Sequence, residues 1–273
     1  MEKKLILRGL LAGAVGGLLA FVFARIFAEP VINRAIAYEN GRDAAQDALD
    51  RAAGFPVPVD TGGDVVSRGV QANLGIGVGM VAFGLAMGAL FAVAYTACLG
   101  RTGRIRARQL SLLLATAGFV VVFLVPFLKY PANPPAVGNE GTIRERSGLF
   151  LLMVVSSLLA AVVATAAGQR LKARFGTWNA SLLAGGGYAA VMAIVMLVLK
   201  DIREVPTGLK DPAGTIVFPG FPADVLADFR LYSVLAQVLM WGTIGVVFAP
   251  LADRLLATGE RPVTAPPREP AGI

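Results

Sequence analysis

This 273-residue chain contains no histidine and a single cysteine, Cys98. Without histidine there is no HExxH zinc motif, no Ser–His dyad and no histidine-ligated zinc or haem. With one cysteine there is no intrachain disulfide. A GxxxxGK[ST] phosphate loop is also missing, which removes nucleotide hydrolysis by that route. Charge is scarce: Asp, Glu, Lys and Arg make up 16% of the chain, against about 25% in ordinary soluble domains. These absences argue against an enzyme and against a resident cofactor.

What is abundant is apolar, at 56% of residues, and it comes in blocks. Six runs stand out: Leu5 to Phe27, Leu74 to Leu99, Leu110 to Leu128, Leu149 to Ala167, Ser181 to Leu199 and Leu231 to Leu251. Each is close to or above the roughly 20 residues a helix needs to cross a hydrocarbon core. The roughly ten-residue alternating segments of a membrane β-barrel are missing. The expected fold is therefore all-α, a polytopic integral membrane protein with about six transmembrane helices in one domain over residues 1–256. The first run also fits a signal peptide, with a basic start and Ala28 at a conceivable cleavage point. Its length, Arg25 just before that point and Pro30 just after it favour a retained span.

Lys and Arg placement sets the orientation. The N-terminus carries Lys3, Lys4 and Arg8. Two short connections carry Arg101, Arg104, Arg106 and Arg108, and Arg170, Lys172 and Arg174. The three longer connections, 28–73, 129–148 and 200–230, hold 14 acidic and 11 basic residues. The short basic side reads as cytoplasmic, with both termini on it. The net charge of +7 is then the usual mark of insertion beside anionic lipid rather than of nucleic-acid binding. The stretch 257–273, with Pro262, Pro266, Pro267 and Pro270, reads as a disordered cytoplasmic tail.

The outer connections hold the candidate chemistry. Pro126 to Ser147 contains Pro126, Pro131, Pro134 and Pro135, so the chain leaves one span, turns rigidly past Lys129 and Tyr130, and re-enters. Asn133 and nearby backbone carbonyls are oxygen ligands in reach of a cation there. Lys129 is expected to pair with Glu140 or to anchor the loop at headgroups. In the first connection, Pro30 suits the first turn of a helix that ends near Gly54. Glu39, Asp43, Asp47 and Asp50 share one face of it. Such a stripe is either solvated surface or a collecting face for a divalent cation that accepts oxygen ligands. In the third connection, Pro222 opens a helix with Asp224 and Asp228 one turn apart. Either carboxylate can neutralise Arg230 at the mouth of the last span, or the pair can line a cation entrance there as metal-binding oxygens. Glycines four apart (Gly9, Gly13 and Gly17; Gly75 and Gly79; Gly84 and Gly88) predict close helix packing.

Several blocks resemble the CbtA family, the larger membrane subunit of a cobalt transporter. They are Arg8 to Arg25, Glu29 to Ala37, Val66 to Gln71, Val125 to Gly138 (VPFLKYPANPPAVG), Thr177 to Leu183, and Pro219 to Leu231 (PGFPADVLADFRL) with Gln237. The resemblance covers nearly the full chain. It implies a multi-pass subunit of the bacterial cytoplasmic (inner) membrane, cobalt(II) as the transported ion, a link to cobalamin synthesis, and a small single-span, CbtB-like partner. It also implies histidines in the first outer connection of many relatives, which this chain lacks. The reading that follows is a permease subunit that gathers cobalt(II) with outer carboxylates. A scaffold or assembly subunit without transport, and a permease for another cation such as nickel, are the alternatives.

Overall fold

The computed structural model describes residues 2–57, 68–101 and 105–259. Arg104, and the tail expectation from residue 260 onward, lie outside the described residues. Eight helices follow one another: α1 (Glu2–Phe23), α2 (Glu29–Ala52), α3 (Arg68–Val70), α4 (Ile76–Cys98), α5 (Ala107–Gly118), α6 (Val125–Lys129), α7 (Ile143–Val198) and α8 (Ala223–Gly259). A two-stranded antiparallel ribbon, β1 (Leu209–Lys210) with β2 (Ile216–Phe218), lies between α7 and α8. Among the described residues, five helical stretches (Glu2–Ala52, Asn73–Cys98, Ala107–Lys129, Ile143–Val198 and Ala223–Ala257) are long and apolar enough to cross a membrane.

The six apolar runs fit these five because α7 is not one rod. Gly176 sits at φ 72°, ψ 169° inside it, a backbone region essentially reserved for glycine. Met153 packs near Met192 and the Ser157 hydroxyl lies 2.7 Å from that of Tyr188. Across the break, a Cβ on Gly168 would stand 3.1 Å from Ala184. The partners recede from Gly176 in step, so the two arms run antiparallel as a hairpin.

The α1–α4 contact follows from missing side chains. A Cβ on Gly13 would stand 2.1 Å from the Gly84 carbonyl oxygen, and one on Gly9 2.3 Å from that of Gly88. Gly17 meets the Met80 carbonyl at 2.5 Å in the same way. Between helices in lipid, where apolar burial supplies little drive, such approach lets dispersion hold the pair. Gly75 and Gly79 do not join this seam, since a Cβ on Gly79 would meet nothing within 4 Å. α8 closes the third side. Phe248 packs edge-on against Phe91 and Tyr95, and Trp241 covers Gly118.

Prolines account for two of the three π turns among the described residues. Two π turns, Ala24–Ala28 and Phe119–Leu124, end just before Glu29-Pro30 and Val125-Pro126. Proline has no N–H and its ring presses on the preceding turn, which a wider turn relieves. In the second π turn, Val125 N–H donates to the Val120 oxygen. The next bond in that register would need an N–H on Pro126. The buried Ser157 hydroxyl donates to the Val121 oxygen instead, at 2.7 Å. A sequence proline thus explains why a serine sits at zero exposure between α7 and the π turn.

The segments alternate in direction. Arg8 donates to the Leu251 carbonyl, so the described ends of the chain lie at the same end of the bundle. At the other end, α2, the Pro-rich turn, the ribbon and the start of α8 build a cap around Val31, Ala35, Tyr38, Val137, Phe221 and Val225.

Candidate functional site

The cap is organised by α2. Val31, Ala35 and Tyr38 recur at helical spacing and face the cap core. Tyr38 donates to the Pro219 carbonyl at 3.0 Å, and its ring packs against Phe218 and Phe221. Gly41, a weak helix former, stands where a Cβ would meet the Phe218 ring at 3.0 Å. Arg42, one turn beyond Tyr38 on the same face, and Glu39 and Asp43 on the flank beside it line a cavity of about 710 Å³. Its opposite wall is the extended stretch Lys200 to Thr207, with Gly138, Asn139, Thr142 and Glu145 completing the rim.

The acidic stripe is divided. Glu39 and Asp43 line the cavity and make no hydrogen bond or ion pair among the described residues. Asp47 pairs with Arg51 at 3.6 Å, and Asp50 accepts from Gln46 at 2.9 Å. Among the described residues, no three carboxylate or cysteine side chains converge as a metal cage. Asp224 and Asp228 lie one turn apart, as expected, but do not neutralise Arg230. Both pair with Arg34 of α2, at 3.1 and 2.8 Å, because the cap brings α2 across the start of α8.

The Pro-rich turn is a clamp. Asn133 uses both ends of its amide: its nitrogen donates to Glu204 at 3.4 Å and its oxygen accepts from Arg230 at 3.1 Å. Arg230 also donates to the Ala132 carbonyl, and Arg146 donates to the Pro131 carbonyl. Val137 N–H takes the Pro134 carbonyl at 3.2 Å, which leaves Pro135 in a turn closed by Ala136 at φ 64°. Glu204, 6% exposed, accepts from Thr142, Asn133 and Arg146. Two guanidiniums and one carboxylate thus hold the turn.

Lys129 pairs with Asp201, which the end of α7 delivers beside it; the side chain of Glu140, its expected partner, lies outside the described residues. The hydrogen bond and the charge of Lys129 hold Asp201 below its ordinary pKa. Tyr130, buried next to them, donates to the Lys200 carbonyl at 2.8 Å, and burial raises its pKa. Lys200 pairs with Glu145 at 2.8 Å. Arg34, Arg146, Asp201 and Glu204 were visible in the sequence only as loop charges; their roles depend on contacts 58 to 194 residues apart.

A family model described as "Probable cobalt transporter subunit (CbtA)" matches residues 2–253. The chain belongs to the CbtA family. No curated protein and no solved structure matches it. The match runs from the glycine seam of α1 through the cap to Asp253 in α8. As a CbtA-family protein the chain is an all-α, multi-pass membrane subunit of a cobalt transporter. Within that frame, the α2 cavity is where carboxylates stand unengaged, whereas the polar groups of the Pro-rich turn are already committed.

Proposed function

We propose that this chain is a non-enzymatic permease subunit that collects cobalt(II) in the cap cavity, with Glu39 and Asp43 as the capturing carboxylates. The supporting observation is their placement: both face the cavity from α2 with no ion-pair partner among the described residues. Oxygen donors suit a divalent first-row cation less well than imidazole does, which favours loose capture over a tight resident site. A small single-span subunit supplies the remaining ligands and completes the path. The cap faces the outside of a bacterial inner membrane, and the cargo serves cobalamin synthesis. No phosphate loop is needed if the membrane potential drives entry, since two charges crossing 100 mV gain about 4.6 kcal/mol.

The test is radiocobalt accumulation in a transporter-deficient bacterial host. The chain is expressed alone, with its single-span partner, and with the Glu39→Gln and Asp43→Asn pair of changes. Uptake that requires the partner and falls at least tenfold in the double variant is expected. Stable membrane protein with no accumulation in any combination moves the reading to a scaffold. Uptake of nickel in place of cobalt moves it to another cation.

A further inference from the structure

Five acidic and three basic residues line the same cavity, and cations just outside it neutralise two of the acidic ones. Of the charges around it, Lys200 is paired with Glu145, Asp201 with Lys129 and Glu204 with Arg146. What remains is Glu39 and Asp43 facing Arg42 and Arg203. Arg42 is fixed in place. One of its terminal nitrogens donates to the Thr207 carbonyl at 2.8 Å and lies 3.4 Å from the Tyr38 hydroxyl. A guanidinium has five N–H donors in a rigid fork, so this anchoring leaves donors over for a ligand. Glu39, Arg42 and Asp43 lie within little more than one helical turn, so the fork and the two carboxylates open on the same cavity.

A bare dication gains from Glu39 and Asp43 but is repelled by Arg42 and Arg203. Its own coordination sphere, with oxygen ligands at about 2.0–2.2 Å, also fills little of this space. A volume of about 710 Å³ falls within the roughly 300–1,000 Å³ of small-molecule sites. A metal complex of a small carboxylate chelator matches both signs. Its outward carboxylate takes the Arg42 fork, the geometry at which arginine binds best. Its metal centre, with coordinated water, faces Glu39 and Asp43.

Resting on the cobalt reading above, we propose that the cap cavity takes cobalt(II) as a complex with a small carboxylate-bearing chelator rather than as the aqua ion. The chelator supplies the inner ligands, so the protein recognises the complex through Arg42, Glu39 and Asp43. No covalent or redox step is involved.

Equilibrium retention on the full chain in lipid nanodiscs, with its partner subunit, tests this. The probes are radiocobalt as the aqua ion, radiocobalt with radiolabelled citrate, and radiocobalt with radiolabelled histidine. Retention of cobalt together with citrate or histidine, at least tenfold tighter than the aqua ion, is expected. Arg42→Gln should abolish that preference, and Arg42→Lys should recover only part of it, because the charge returns without the fork. Weak retention of the aqua ion should persist in Arg42→Gln, which shows that the variant is folded. Aqua-ion retention as tight as that of either complex, or cobalt held while the labelled chelator washes through, overturns this inference and leaves the cobalt reading standing. Retention of neither cobalt nor chelator overturns both.

Discussion

At the scale of single residues, the cap is held by charges that meet across long stretches of chain. Glu204 has the most to lose. Its carboxylate is almost fully covered and receives three side chains from the Pro-rich turn and the start of α7. Removing one partner of a covered ion pair leaves the other charge without compensation, at a cost of about 3 kcal/mol. Glu204→Ala should lower thermal stability in detergent by that amount, and Asp47→Ala, an exposed single-helix pair, by under about 0.5 kcal/mol. Equal effects would mean that Glu204 does not hold the clamp. The Lys129–Asp201 pair makes a pH statement. The folded pKa of Asp201 lies below its ordinary 3.8, so the pair favours folding above that value and is lost as pH falls through the lowered one. An unfolding profile of Asp201→Asn should therefore run below wild type near neutral pH and converge with it under about pH 4. Parallel curves would detach the pair from the acid limb. None of these partnerships was legible beforehand. Lys129 lies 11 residues from Glu140 and 72 from Asp201, and a sequence shows which charges exist but not which ones the fold brings together. Asp224 and Asp228 taking Arg34 instead of Arg230 is the same lesson.

At the scale of elements, glycine has two meanings in this chain. On α1 and α4 it marks contact. A Cβ on Gly13 would collide with the Gly84 carbonyl, so Gly13→Ala must push two helix backbones apart, for about 1–3 kcal/mol. In Gly185 to Gly187, an added Cβ meets nothing within 4 Å. There Gly186→Ala should leave stability unchanged or raise it by up to about 1 kcal/mol through helix propensity. Thermal unfolding of the two variants side by side checks this, and a destabilising Gly186→Ala would show that the α7 arm packs against something else. Element types were largely legible. Long apolar runs become helices because backbone groups in a bilayer have no other partner. The helix after Pro30 and the start of α8 at Pro222 followed from proline and acidic residues at first turns. The four-apart spacing did not reveal which glycines pair, since Gly75 and Gly79 carry the same pattern as Gly84 and Gly88. The ribbon at 209–218 was missed because its strands are too short for an alternation to register. Its turn was nonetheless written locally, in the bond from Thr215 N–H to the Asp211 carboxylate and in the positive φ of Gly214.

At the scale of the whole molecule, charge is sorted by end and sign. At the cap end Arg34 meets Asp224 and Asp228, Arg146 meets Glu204, Lys129 meets Asp201 and Lys200 meets Glu145, while Arg42 and Arg230 bond carbonyl or amide oxygens. The opposite end keeps most of its cations on carbonyls or in solvent. Arg8 donates to the Leu251 carbonyl and Arg101 to that of Ala97, while Arg108 finds Asp253. Retention of Lys and Arg on the cytoplasmic side is the ground on which we propose that the cap, with its cavity, faces outward. The candidate site makes functional sense only in that orientation, because a collecting face on the cytoplasmic side would sample the wrong pool of metal. The single native thiol makes the orientation testable. In a Cys98→Ser background, Asp47→Cys places a thiol on the cap and Arg174→Cys places one beside the Gly176 reversal. A membrane-impermeant maleimide applied to intact cells should label the first and not the second, and both should label after lysis. Labelling of Arg174→Cys in intact cells, with Asp47→Cys protected, would invert the bundle. Uptake through the cap would then have to be replaced by export.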